Sequence, residues 1–173
     1  MEIRLGTKQD LLEIATLYDE VTAYLQQNIN YPGWKKGIYP TYNEALSGVS
    51  KQELYVALYQ GKIVGCVTLN HQQEDNYQQG NWSIIAKANE VYVIHTLAIH
   101  PDYQGLKIAK NLLEYCHQRA IEKNIKTIRL DVRAGNIPAI KLYERLGYTY
   151  AGKISLDFRG DDLGKFELYE KVL

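Results

Sequence analysis

Two runs of this chain carry the residue types and spacings that could do chemistry. The first is Gln104-Gly-Leu-Lys-Ile-Ala109, a short turn with one glycine between an apolar stretch, Val91-Tyr-Val-Ile-His-Thr-Leu-Ala-Ile99, and a helical run to Asn124. The first amides of a helix opened this way have no partners within it, and its dipole favours an anion. The turn therefore suits a phosphate-bearing ligand, or is an ordinary strand-to-helix connection. The second run is Asn136-Ile-Pro-Ala-Ile-Lys-Leu-Tyr143-Glu-Arg-Leu-Gly147-Tyr148. Its inward stripe is Ala139, Leu142, Tyr143 and Leu146, which taken alone reads as core. His95, on the apolar stretch Val91–Ile99, is either a hydrogen-bonded core residue or a base. Four histidines and two cysteines show no zinc-type ligand spacing, so no metal site is expected.

The elements that must position these groups follow from periodicity. Val91–Ile99 is rich in β-branched and aromatic residues and ends before a proline, which predicts an inner strand covered on both faces. Ala109, Leu112, Leu113, Cys116 and Ala120 recur at helical spacing, with Lys110, Glu114 and Lys123 off the stripe. Upstream, Ile3-Arg-Leu5 reads as a strand. Thr7-Lys-Gln-Asp10 then starts a helix running to about Gln26 along Leu11, Ile14, Ala15, Tyr18, Val21 and Leu25. Asn28 to Ser50, broken by prolines and glycines, is read as a loop with a short helix around Tyr42 to Ser47. Leu54–Tyr59 and Ile63–Leu69 read as strands joined by a hairpin at Gln60-Gly61-Lys62. The polar insert Asn70 to Asn89 has little periodicity and is expected to be a functional or mobile loop. Thr127–Val132 is a strand, Asn136 caps a helix with Pro138 in its first turn, and Gly147 stops it. Tyr148–Leu156 and Lys165–Val172 are strands joined through Arg159-Gly-Asp-Asp. The order β-α-α-β-β-β-α-β-α-β-β predicts an α/β fold, a mixed central β-sheet flanked by helices.

Length and charge bound the rest. A chain of 173 residues suits one domain, here 1–173. Lysine plus arginine balance aspartate plus glutamate at 20 each, so no net field recruits nucleic acid or membrane. The chain has no apolar run of membrane-spanning length and no signal-peptide pattern, so a cytoplasmic location is expected. Cys66 and Cys116 sit in runs that read as buried and are expected to be reduced core thiols.

The two runs together resemble the Gcn5-related N-acetyltransferases, whose signature Gln/Arg-x-x-Gly-x-Gly/Ala lies between an apolar strand and a long helix. Gln104, Ile108 and Ala109 stand in place, and Lys107 replaces the central glycine. The segment Asn136–Tyr148 matches the family's second motif in the expected order. The resemblance covers essentially the whole chain, is densest from Val91 to Gly152, and implies the acyl-CoA N-acyltransferase fold.

It also implies transfer of an acetyl group from acetyl-coenzyme A (acetyl-CoA) to a primary amine by direct attack on the thioester. The implied coenzyme contacts are the backbone of Leu97, Ala98 and Ile99 for the pantetheine arm. The amides of Gln104, Gly105, Leu106, Lys107, Ile108, Ala109 and Lys110 would take the pyrophosphate, with Asn136, Ala139 and Tyr143 beside the arm. Lys107 adds bulk where the family has none, so binding is expected to be retained but weaker. Tyr143 would protonate the departing thiolate. A lysine-like amine with a pKa of about 10.4 is neutral in roughly one molecule in 2500 at pH 7, about 4.6 kcal/mol against attack. A base is therefore needed: His95, or Glu90 as a weaker substitute. Trp34, Tyr39 and Trp82 are expected to shape the acceptor pocket or to pack. The acceptor would be a small-molecule or peptide amine, and a homodimer through the last strands is one option the fold offers. The alternative is a non-catalytic acyl-CoA-binding or sensing module; transfer of a longer acyl group is a third reading.

Overall fold

The computed structural model describes residues 1–158 and 161–173, with side chains described outside 157–163. The elements are β1 (Glu2–Leu5), α1 (Leu11–Gln27), α2 (Tyr42–Ser50), β2 (Leu54–Tyr59), β3 (Lys62–Asn70), β4 (Val91–Ile99), α3 (Ile108–Glu122), β5 (Thr127–Arg133), α4 (Ile137–Arg145), β6 (Thr149–Phe158) and β7 (Asp161–Val172). This is the expected order. Of the connection expected at Arg159-Gly-Asp-Asp, Arg159 and Gly160 lie outside the described residues. The strands hydrogen-bond in the order β1-β2-β3-β4-β5-β7-β6. The β4–β5 ladder is parallel, and β1–β2, β2–β3, β5–β7 and β6–β7 are antiparallel, so the sheet is mixed. Among the described residues no helix is long and apolar enough to cross a membrane.

The chain packs as two compact units, Met1–Asn30 with Trp34–Leu69 and His95–Cys116, and Tyr31–Gly33 with Asn70–Ile94 and His117–Leu173. In the first unit, Leu11, Ile14, Leu17, Tyr18 and Val21 of α1 pack with Leu54, Val56, Ile63, Cys66 and Ala98 of the strands. The start of α1 is fixed as its sequence suggests. The Thr7 amide and hydroxyl donate to Asp10 at 2.7 and 2.8 Å, and Arg4 donates to the same carboxylate at 2.7 and 2.9 Å. That arginine, with Thr7, holds the Asp10 carboxyl well below the usual range. The short helix around Tyr42 extends to Ser50, started by Thr41 and Glu44, whose carboxylate accepts from the Thr41 amide at 2.7 Å. At the β2–β3 hairpin Gln60 and Gly61 both have positive φ, 51° and 78°, the two-residue turn whose twist matches its strands. Cys66 and Cys116 are buried free thiols, and burial pushes each up to about 12.

In the second unit, Tyr77, Val91, Val93, Ala151, Ile154 and Leu168 form the core. The insert after β3 departs from the expected loop. It holds short 3-10 turns at Asp75–Gln79 and Ala88–Glu90, and Tyr77 is only 2 % exposed. Asn81 donates to the Ala151 carbonyl at 2.6 Å and the Trp82 indole to the Tyr77 carbonyl at 2.7 Å. Tyr77 is in the core with Trp82 and Ala86 packed against it, in a segment otherwise rich in Gln and Asn, so periodicity could not reveal it. Behind them Arg129 lies over the Trp82 ring, 4.2 Å from its centroid, and donates to the buried Glu170 at 3.2 Å.

Candidate functional site

The first unit holds the end of β4 and the loop after it. The described β4–β5 ladder stops at Ile94 and Leu130. Two residues on, Thr96 has φ +48°, a left-handed conformation that a β-branched residue adopts only under constraint. The strand's alternation breaks there: Ile94 is buried, and His95, Thr96 and Leu97 are each half-buried. The expected burial of β4 on both faces is corrected over this stretch, where three successive residues around the irregular Thr96 are only half-buried. Ala98 is buried and Ile99 half-buried. The strand end lies close on β3. A side chain at Gly65 would put its Cβ 3.1 Å from the Ala98 carbonyl oxygen and 2.8 Å from Ile99 Cδ1.

Beyond β4, the His100 amide donates to the Val64 carbonyl at 2.9 Å. Nδ1 of its buried ring accepts the Asp102 amide at 3.2 Å, and Nε2 lies 2.9 Å from the Glu20 carboxylate. This fixes the 3-10 turn Pro101–Tyr103 and delivers the loop Gln104–Lys107, every residue of which is exposed. Gly105 and Lys107 have φ +82° and +60°. Left-handed residues in such a loop turn successive amides toward one side, a concavity that takes anions. The first bond into α3 runs from the Asn111 amide to the Lys107 carbonyl at 3.0 Å, so the amides of Ile108, Ala109 and Lys110 precede the helical ladder. The donor set fits a pyrophosphate on chemistry alone. Lys107 makes no ion pair among the described residues, whereas Lys110 is engaged by Glu114 at 2.7 Å. The structure also explains why glycine suits position 107: the demand is for a left-handed backbone, with open space for the side chain. One helix position is corrected, since Ile108 is buried at 2 % and Ala109 is only half-buried.

Trp34 and Tyr39 are brought together in the same unit, edge to face with centroids 6.0 Å apart. The Tyr39 hydroxyl bonds the Thr96 hydroxyl at 2.5 Å. His95, next to Thr96, is itself engaged by neighbours.

The second unit holds α4. Asn136 caps it as expected, its side-chain oxygen accepting the Ala139 amide at 3.4 Å. Ala139 is half-buried, and Tyr143 is 6 % exposed with its ring edge-on to Tyr148 at 5.7 Å. Burial, and secondarily the charge of Asp131, raise the Tyr143 phenol well above its ordinary value. Asp131 in turn accepts a hydrogen bond from the Tyr77 hydroxyl at 2.6 Å. Glu90 is held by Lys126 at 2.8 Å, which lowers its carboxyl, and it precedes β4; an ion pair accounts for it. Trp82 packs on Tyr77 and Arg129. Of the expected site residues only Trp82 lines the cavity of about 310 Å³ beside Arg129.

Two residues escape sequence reasoning. Asp131 had a signal, as the lone acid in the strand Thr127–Val132. Thr96 had none, because nothing in a threonine announces a positive φ.

The strand order, an amide-lined loop leading into a helix after β4, and a capped helix carrying Tyr143 define the acyl-coenzyme A acyltransferase class of α/β fold. The sequence model of the acetyltransferase (GNAT) family matches residues 14–148, and the chain belongs to that family. A ribosomal protein bS18-alanine N-acetyltransferase of Escherichia coli is 32 % identical over 83 residues, 48 % of this chain and 56 % of that protein. The chain thus spans little more than half the length of this relative. An uncharacterized N-acetyltransferase of Archaeoglobus fulgidus is 29 % identical over 143 residues, 83 % of this chain and 89 % of its own. Among solved structures, a GNAT-family acetyltransferase from Streptococcus agalactiae superposes with a TM-score of 0.81 at 23 % identity, covering 99 % and 95 % of the two chains. An acetyltransferase from Salmonella typhimurium, solved with acetyl-CoA, gives 0.69 at 16 % identity over 99 % and 92 %; these two likenesses concern the fold.

Proposed function

We propose that this chain, read as one acetyltransferase domain, transfers the acetyl group of acetyl-CoA to a primary amine. The observation that carries the reading is the exposed loop Gln104–Lys107 with the unladdered amides of Ile108–Lys110 behind it. Those amides bind and orient the diphosphate, and the backbone of Leu97–Ile99 aligns the arm. Acetyl-CoA supplies an acetyl carbon already activated as a thioester. Attack by the amine forms the N–C bond, breaks the C–S bond, and releases one proton from nitrogen while sulfur needs one.

Tyr143 serves the sulfur. From an ordinary phenol at about 10 to a thiolate at about 8.5 the transfer is uphill by about 2 kcal/mol, and burial raises the phenol further. Burial also penalises the thiolate, so both groups move in the same direction. The phenol meanwhile stays protonated at neutral pH. For the proton on nitrogen, His95 and Asp131, whose carboxylate accepts from the Tyr77 hydroxyl, are the two candidates. A pH-rate profile displaced in Asp131→Asn and unchanged in His95→Gln would assign the role.

The acceptor is a small-molecule or peptide amine, and the E. coli relative named above, whose target is a ribosomal protein, supports the peptide side. The reading places the chain in the cytoplasm, where acetyl-CoA is drawn on. The test is thiol release from acetyl-CoA across a panel of amines, with mass detection of the acetylated product. Release that tracks an amine supports the reading, whereas tight binding with no release on any amine would favour a non-catalytic sensor.

A further inference from the structure

Thr96 is a β-branched residue with φ +48° in the middle of a strand. Regular strands have φ near −120°, so the peptide planes around Thr96 are swung by about 170° relative to the pleat. Such a conformation persists only where its surroundings over-determine it. The described polar contact on the Thr96 side chain is the Tyr39 hydroxyl at 2.5 Å.

Tyr39 is well anchored for that purpose. Its amide and that of Ile38 both donate to the Lys35 carbonyl at 3.0 Å, and Asn30 Nδ2 donates to the Trp34 carbonyl at 2.7 Å. Trp34 packs against the core of the first unit and meets the Tyr39 ring edge-on. The next residue, Pro40, is buried, and Thr41 follows as the cap of α2. Tyr39 therefore presents its hydroxyl to β4 from a braced position.

We propose that Tyr39 is a positioning residue for the coenzyme: its hydroxyl holds the kink at Thr96, which sets the direction of the Leu97, Ala98 and Ile99 backbone. The inference rests on the reading of that backbone as the coenzyme-arm contact. It has a consequence for the segment Trp34–Pro40. Anything that moves this segment changes coenzyme affinity, and coenzyme changes the affinity for that mover by the same factor.

The test is isothermal titration calorimetry of acetyl-CoA on the full chain, with thermal unfolding alongside. Tyr39→Phe keeps the ring on Trp34 and removes the hydroxyl; Thr96→Val removes the same bond from the other side. Each is expected to raise the acetyl-CoA Kd about two- to tenfold, the equivalent of one net hydrogen bond. In a Thr96→Gly background the left-handed backbone needs no brace, and adding Tyr39→Phe should change Kd by less than about twofold. Wild-type binding with an indifferent Tyr39→Phe, or the same penalty in both backgrounds, overturns the proposal. A lowered Tm with unchanged Kd would reduce the bond to a structural brace and overturn it as well. A wild-type chain that binds no acetyl-CoA overturns the underlying reading, and this proposal with it.

Discussion

Gly65→Ala tests how tightly β3 and the end of β4 are fitted. Gly65 has no left-handed backbone, so alanine meets no conformational objection there. Its Cβ would lie 2.8 Å from Ile99 Cδ1 and 3.1 Å from both the Ala98 carbonyl oxygen and Ile108 Cγ2. The Ile99 methyl is the far end of a flexible side chain and can rotate away. The Ala98 oxygen belongs to the backbone, and Ile108 is held in the core, so these must give together. Overpacking of this kind costs about 1–3 kcal/mol, and the stiffer unfolded chain returns about 0.4–1 kcal/mol. A net loss of about 1–2 kcal/mol corresponds to a Tm lowered by roughly 2–8 °C for a chain of this size. The shift would displace Ala98 and Ile108, which bracket the loop at Gln104, so acetyl-CoA affinity should fall with stability. Adding Ile99→Val removes the closest of the three contacts and should recover part of both losses. A Tm equal to or above wild type, by calorimetry or circular dichroism, would refute the packing argument.

Tyr143→Phe should lower turnover by about 100-fold or more, the usual worth of a placed proton donor, with acetyl-CoA affinity nearly unchanged; unaltered turnover would remove Tyr143 from the chemistry. Lys107→Gly relieves a left-handed side-chain cost of about 1–2 kcal/mol against a glycine entropy cost of about 0.5–1 kcal/mol. It should raise stability by roughly 0.5–1 kcal/mol on the same balance, as urea unfolding would register. Asp10→Asn should cost about 1–3 kcal/mol by loosening Arg4 and the start of α1. Because the folded Asp10 carboxyl is depressed, its contribution is present above the unfolded value of about 3.9 and drains away as pH falls below it. Acid unfolding should therefore be less steep in the variant. Cys66 and Cys116, buried and pushed up to about 12, should resist a thiol reagent at pH 8 in the native protein and react once it is denatured.

Much of the architecture was legible because its signals are local. β-branched runs, the Thr7 and Thr41 caps, Asn136 before Pro138, and Gly61 in a hairpin each specify one element through its own backbone chemistry. The loop Gln104–Lys107 was legible as a run of backbone donors for the same reason. The insert after β3 was not: its burial rests on Tyr77 and Trp82, whose partners Ala151 and Arg129 lie far along the chain. Thr96 was opaque because a positive φ at a threonine is imposed by tertiary contacts against local preference. Asp131 was visible as an oddity, but its bond to Tyr77 depends on how the insert packs.

The buried pair Arg129 and Glu170 has an evolutionary corollary. Their side chains are 7 % and 0 % exposed, and losing either would strand the other's charge in the interior at about 3–5 kcal/mol. That is a large share of the few kcal/mol that keep an ordinary domain folded. Replacing both with apolar residues of similar volume would cost far less. Descendants of this sequence can thus cross between a charged and a greasy version of that position only by a double step, or through an intermediate already stabilised elsewhere.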